Sequence, residues 1–278
     1  MKTQILILLL VFQFFLGPVV RAETAPVDPP ARLPISALLG EKLTYNISFL
    51  WFKKIARGEI LLEPGEKSGT YLATLTARTR GVAAFFTGNR VETYTTLMEE
   101  GPDGLLRPLV QTSDTKKDDG EQETHRQTTY TFNFSANQVS YHKTINGVAQ
   151  KKHLLPMDEE HPTYDFLTAF YNLRLGRLGS VEMGRDIKLA AFSRKGPEEI
   201  VICRLFEEGN MQLELSEDLI LCKVLMDPDT FNTKGRDVYV GFDDLLRPQI
   251  AVIKNVIGMG DVRGELVHIT EPGLTGLK

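Results

Sequence analysis

From Leu43 onward the chain alternates. Leu43, Tyr45, Ile47, Phe49 and Trp51 are apolar, while Thr44, Asn46 and Ser48 between them are polar. A period of two predicts a strand with one buried face. Lys53-Lys54 follows, and Ala56 to Leu62 reads as the second arm of a hairpin. Tyr71 to Thr79, Val91 to Met98 and Leu106 to Thr112 are further strands, rich in Thr, Val, Tyr and Leu. Ser113 to Arg126 is polar, with a turn expected at Asp118-Asp119-Gly120, and Thr128 to Phe134 resumes the alternation. Val139 to Thr144 precedes Asn146-Gly147, a pair that accepts the positive φ angles of a tight hairpin turn. Later strands are expected over Ile187 to Phe192, Ile200 to Phe206, Met211 to Leu215 and Leu219 to Leu225. Asp237 to Phe242, Gln249 to Val256 and Val262 to Ile269 complete the set.

One stretch breaks this pattern. Thr163 to Leu175 has Pro162 and Thr163 at a helix start, Asp165 at the positive end of the dipole and Gly176 at the stop. Phe166, Leu167, Phe170, Tyr171 and Leu173 cover most of its circumference, which predicts a buried helix. The expected fold is therefore mainly β: an antiparallel curved sheet or barrel-like domain of roughly a dozen strands around one central helix. Asp103 to Pro108 recurs as Asp243 to Pro248, with five of six positions identical. Two hairpin turns sharing one turn chemistry explain this better than an old duplication.

The first 22 residues have another character. Lys2 precedes an apolar run from Ile5 to Leu16, Gly17-Pro18 breaks it, and Val20 and Ala22 are small residues before Glu23. This is the pattern of a cleavable signal peptide, and the run falls short of the roughly 20 residues a spanning helix needs. The organisation read from the sequence is a leader over 1–22, a Pro-rich flexible spacer over 23–39, one β-rich domain over 40–270 and a tail over 271–278. A periplasmic protein with no transmembrane segment after cleavage is expected. Removing the leader takes away Lys2 and Arg21 and no acid, so the net charge moves from −4 to −6. With no Lys/Arg cluster, nucleic acid is disfavoured as a partner. Cys203 and Cys222 lie in consecutive strand patterns; either a disulfide or two free buried thiols suits an exported β domain.

Three segments carry a resemblance. Gly40–Ser48 (GEKLTYNIS), Asp165–Arg174 (DFLTAFYNLR) and Leu245–Pro248 (LLRP) resemble the exported bacterial family known as domain of unknown function 3108. That family opens on a Gly-Glu-x-Leu-x-Tyr strand, has an Asp-x-Leu-(Ser/Thr)-Ala-Phe-Tyr-x-Leu-Arg helix at its centre, and carries a Leu-Arg-Pro turn in its last third. The resemblance runs from about Gly40 to about His268. It implies a curved, barrel-like domain in the envelope of Gram-negative bacteria and no established activity, so it transfers no catalytic residue. A likeness to the clamp-shaped carriers of lipoproteins and lipids is one of architecture alone.

Catalytic motifs are missing. There is no G-x-S-x-G, no H-E-x-x-H, no P-loop and no G-x-G-x-x-G. His153 and His161 flank Asp158-Glu159-Glu160, which could make a metal site, although surface histidines in a polar loop are far commoner; Asp114, Asp118 and Asp119 lack the ligand periodicity of a calcium loop. No catalytic residue, metal or cofactor is expected. Two aromatic tips are more suggestive. Leu50-Trp51-Phe52 precedes Lys53-Lys54, and Val82-Ala83-Ala84-Phe85-Phe86 lies between Arg80-Gly81 and Gly88-Asn89-Arg90. Apolar clusters flanked by cations enter lipid surfaces or line the mouth of a barrel, although aromatics folded into the core are the commoner case. The leading reading is a carrier of an apolar or lipid-like ligand. It places Trp51, Phe52, Phe85 and Phe86 at an entrance, with Phe170, Tyr171 and Arg174 deeper. An envelope interaction protein is the alternative, and a hydrolase is the third class.

Overall fold

The computed structural model describes residues 32–49, 52–81, 84, 88–118, 120, 122–158, 163–193, 196–205, 218–226, 228, 233–256 and 260–272. The leader, Met211 to Leu215 and the expected entrance residues Trp51, Phe85 and Phe86 lie outside them.

The strands are β1 (Lys42–Phe49), β2 (Phe52–Pro64), β3 (Thr70–Thr79), β4 (Val91–Glu100), β5 (Leu106–Asp118), β6 (Glu123–Asn133), β7 (Gln138–Ile145) and β8 (Val148–Pro156). After the short β9 (Thr163–Tyr164) and helix α1 (Phe166–Arg174) come β10 (Asp186–Ser193), β11 (Gly196–Arg204), β12 (Ile220–Leu225), β13 (Asp237–Phe242), β14 (Pro248–Val256) and β15 (Gly260–Thr270). All fifteen join one sheet in the order β8-β7-β6-β5-β4-β3-β2-β1-β15-β14-β13-β12-β11-β10-β9. The mainly β class with a central helix is as expected, but the described residues alone hold fifteen strands rather than about a dozen.

Local chemistry accounts for most turns. Asn146 (φ 50°) and Gly147 (φ 76°) form the β7–β8 turn, with the positive angles that Asn-Gly tolerates. Because neighbours are antiparallel, the β1–β2, β3–β4, β5–β6, β7–β8 and β14–β15 connections lie at one end of the sheet. Those of β2–β3, β4–β5, β6–β7 and β13–β14 lie at the other.

The two similar hexapeptides are the β4–β5 and β13–β14 turns. In each, the aspartate accepts the N–H two residues on and binds the arginine four residues on. Leu105 N donates to Asp103 at 3.2 Å and Leu245 N to Asp243 at 3.0 Å. The Arg107–Asp103 and Arg247–Asp243 pairs close at 2.8 and 2.7 Å. Both turns lead into a strand that starts with a register shift opposite its proline. Shared turn chemistry thus explains the likeness down to the bulge.

The helix is the centre of the packing. Asp165, not Thr163, is its N-cap, and its carboxylate accepts from the N–H groups of Leu167 and Thr168. The expected first turn, Thr163-Tyr164, is instead a strand pairing with β10, since the cap carboxylate fixes the start of the helix two residues later. One helix face carries Leu167, Tyr171 and Leu175 against Leu62, Ala73, Met98 and Leu106. Another carries Ala169 and Leu173 against Ile187, Leu189, Ile202, Cys222, Val240 and Phe242. The helix therefore fills the space between the two halves of the sheet. A third cluster joins Tyr130, Phe132, Val139 and Tyr141 to Phe192 of β10.

Of the expected spacer, residues 32–39 are described, and they pack on the domain. Ile35–Ala37 is a 3-10 turn, Ile35 and Leu38 are buried in the helix cluster, and Leu33 N bonds the Leu175 carbonyl at 3.1 Å. The apolar residues of Leu33 to Leu39 outweigh Pro34 and bind this segment to the core. Among the described residues, no helix is long and apolar enough to cross a membrane.

Candidate functional site

The three expected deep ligand residues sit at the C-terminal half of α1, and each has a structural partner. Tyr171 is buried, and Phe170 is half-buried with its ring 5.0 Å from that of Tyr171. Burial holds the Tyr171 hydroxyl well above its ordinary pKa, so it stays protonated. Arg174 pairs in bidentate fashion with Glu41, with Nη2 to Oε1 at 3.1 Å and a second bond from Nη1 to Oε2. Both side chains are buried, and the Arg174 guanidinium also lies 5.7 Å from the Phe170 ring centre. Charge at the helix C-terminus is thus neutralised by a carboxylate from the residue just before β1, not left open for a ligand head group. These residues form a packed joint between helix and sheet.

Two more polar side chains lock the helix in place. Asn172 donates to the Leu106 carbonyl at 2.9 Å and accepts from the Leu106 N–H at 2.8 Å, completing the first residue of β5 as a paired strand would. Asp165 accepts from Thr96 Oγ1 at 2.7 Å. Burial raises the pKa of its carboxyl, and the hydroxyl and N–H donors from Thr168, Thr96 and Leu167 only partly offset this. The perturbed acid here is a cap. Asp243 behaves oppositely: against the pull of burial, its bonds to Arg247 hold its pKa below the usual carboxylate value.

Only one of the four expected entrance residues is described. Phe52 opens β2, is 48% exposed, and tilts against Phe49 of β1 with 5.4 Å between ring centres. Lys53, Lys54 and Arg80 are exposed at this end. Lys54 adopts φ 57° and its N–H bonds Ser48 Oγ at 3.1 Å, within the register shift between the Ile47–Ala56 and Phe49–Phe52 pairs. An aromatic pair beside exposed cations has the composition of a lipid-surface contact.

A groove and a smaller cavity are bounded by described residues, and neither of them is lined by an expected ligand residue. A groove of about 590 Å³ runs over β3 to β6 and is lined by Thr93, Thr95, Thr112, Asp114, Lys116 and Gln127 among others. All its lining residues but Val91 have polar side chains, and none is aromatic. The second, of about 300 Å³, lies at the other end of the strands, by Leu105, Tyr164, Arg177 and the start of β10. Sequence reading missed it because its residues come from four separate segments, and none of them forms a local pattern.

His153 stacks on Tyr141 with 4.5 Å between ring centres, and His125 Nε2 lies 2.5 Å from Asp114 Oδ2. Among the described residues, no three His, Cys, Asp or Glu side chains gather as metal ligands. His161, Glu159, Glu160 and Asp119 lie outside the described residues.

Cys203 and Cys222 do come together on adjacent strands, but the register separates their side chains. Cys203 is opposite Lys223 and Cys222 is opposite Arg204, so the two cysteines are one step out of phase. Successive side chains of a strand point to opposite faces, so the thiols lie on opposite sides of the sheet and both are free. Burial raises both thiol pKa values, that of Cys222 to about 12. Denatured, unreduced protein should titrate two thiols. In the folded protein Cys203, the more exposed, should react first with Ellman's reagent, and Cys222 only on unfolding. A titration of zero would mean that the sheet has a different register here.

No family model matches the chain. No curated protein matches it either. Its likeness to domain of unknown function 3108 therefore remains a resemblance carried by three segments. Among solved structures the chain is similar to a beta-barrel-like protein of domain of unknown function DUF1849 from Brucella abortus. The identity is 11%, the alignment covers 84% of this chain and 98% of that chain, and the TM-score is 0.47.

Proposed function

We propose that this chain is a non-enzymatic binding or carrier module of the periplasm that engages lipid-like, amphiphilic molecules through the tip of its β1–β2 hairpin. The observation that carries this reading is the exposed Phe52, paired with Phe49 and followed by exposed Lys53 and Lys54. A large exposed aromatic costs solvation free energy in water, and lysines beside it are attracted to anionic head groups. The leader pattern of residues 1–22 supports export. The helix residues Phe170, Tyr171 and Arg174 have no part in the contact, because they close the core.

The test is sedimentation of protein purified from its own cell envelope with phosphatidylglycerol vesicles and with phosphatidylcholine vesicles. Wild type should bind the anionic vesicles. Lys53→Gln with Lys54→Gln should weaken that binding by about tenfold or more, from roughly 1 kcal/mol per cation near the surface. Phe52→Ser should weaken it while the melting temperature stays constant. Protein that binds neither vesicle would defeat the proposal.

A second reading has its own observation. β8 is an open edge of the sheet, with Val148 and Leu154 each 63% exposed. A protein partner pairing with that edge would make the chain an envelope interaction module. Lys151 and Lys152, also exposed on β8, guard the edge against self-association.

A further inference from the structure

The smaller cavity has a composition of its own. Its floor is apolar: Tyr164, Ile187 and Leu189 are buried, and Leu105 and Leu178 are half-buried. Its polar lining is mostly cationic. Arg185 and Lys188 stand exposed at the rim with one acid, Asp186, and Arg177 is buried beside them.

The charges around it are incompletely matched. Arg177 Nη2 bonds Glu100 Oε1 at 3.1 Å, but Arg177 Nη1 is buried with no hydrogen-bond partner. Among the described residues, neither Arg185 nor Lys188 has a carboxylate within ion-pair distance. Arg177 borders the cavity, and although its Nη1 is itself closed off, its charge gives the cavity a positive potential that favours an anion. The backbone adds to this. β9 pairs with β10 only at Ala190 and Ala191, so Asp186–Leu189 has no strand on its outer edge. Main-chain groups there are open to a ligand.

We infer that this cavity, built by the β4–β5 turn, β9, the segment after α1 and the start of β10, binds a small organic anion with a carboxylate head and a short apolar body. Arg185 holds the head beside the charge of Arg177, and Leu105, Leu178, Ile187 and Leu189 hold the body; the Lys188 side chain alternates to the other face of β10 and takes no part. The volume of about 300 Å³ is at the lower end for small-molecule sites, which sets the length of that body. The β4–β5 turn that supplies Leu105 lies at the opposite end of the strands from Phe52, so this site is independent of the proposed lipid contact.

The probes are sodium hexanoate, 1-hexanol and sodium acetate, titrated calorimetrically into the full chain. Hexanoate should bind, with acetate and hexanol each weaker by about tenfold or more, because each lacks one half of the recognised chemistry. Arg185→Gln should weaken hexanoate by about tenfold or more. Arg185 is exposed, so an unchanged melting temperature serves as the folding control. Leu178→Gln should weaken hexanoate and leave acetate where it was. The proposal is overturned if hexanoate fails to bind, if Arg185→Gln binds it as wild type does, or if acetate or hexanol binds equally well.

Discussion

Arg174→Met should destabilise the domain by about 3–5 kcal/mol, because it leaves the Glu41 carboxylate buried with no countercharge. For a domain of this size that is a drop of about 10 °C in melting temperature. Glu41 is 6% exposed and cannot recover its hydration without moving the start of β1 away from the helix. The informative partner is the double variant Glu41→Met with Arg174→Met. Removing both charges replaces a buried ion pair with apolar contacts, and should restore most of the lost stability. If Arg174→Met leaves the melting temperature unchanged, the ion pair is not a structural joint, and the case for Arg174 as a ligand residue reopens.

Leu167→Ala should cost about 3 kcal/mol through the methylenes removed and the cavity left. Leu167 is 1% exposed, in the cluster with Met98 and Leu106. Phe170→Ala should cost less than Leu167→Ala, although phenylalanine is the larger side chain, because Phe170 is only half-buried. Urea unfolding midpoints of the two variants give the comparison directly. The reverse order would mean that the helix is rotated, with Phe170 and not Leu167 turned into the sheet.

Where one face was apolar and the other polar, the strands were legible in the sequence. β13 falls where the alternation puts it, over Asp237–Phe242, and β1 differs only at its ends. The polar stretch Ser113 to Arg126 hid the far half of β5 and the first half of β6, which continue through it. Around Thr112, Asp114 and Gln127 both faces of these strands carry polar residues, so no period of two marks them. β9 has only two residues, too few for any period. At the candidate sites the reach was shorter still. Arg174 is evident as a helix-ending cation, but Glu41, its partner, is 133 residues away. The phase of Cys203 against Cys222 depends on how β11 and β12 align, which neither strand encodes by itself. The cationic cavity draws on Leu105, Tyr164, Arg177 and Arg185, and convergence of that kind exists only after folding.

The pairing of β1 with β15 joins Lys42 to Thr270, almost the two ends of the described chain. A polypeptide made from its N-terminus therefore leaves β1 with one bare edge until the last strand has emerged. The loop to be closed contains nearly the whole domain, so this seam has a large entropic cost and a high contact order. The fold is consequently completed by its final segment. A chain cut short before Gly260 would keep both halves of the sheet and lose the strand that fastens them, exposing the edge of β1 to any neighbouring copy.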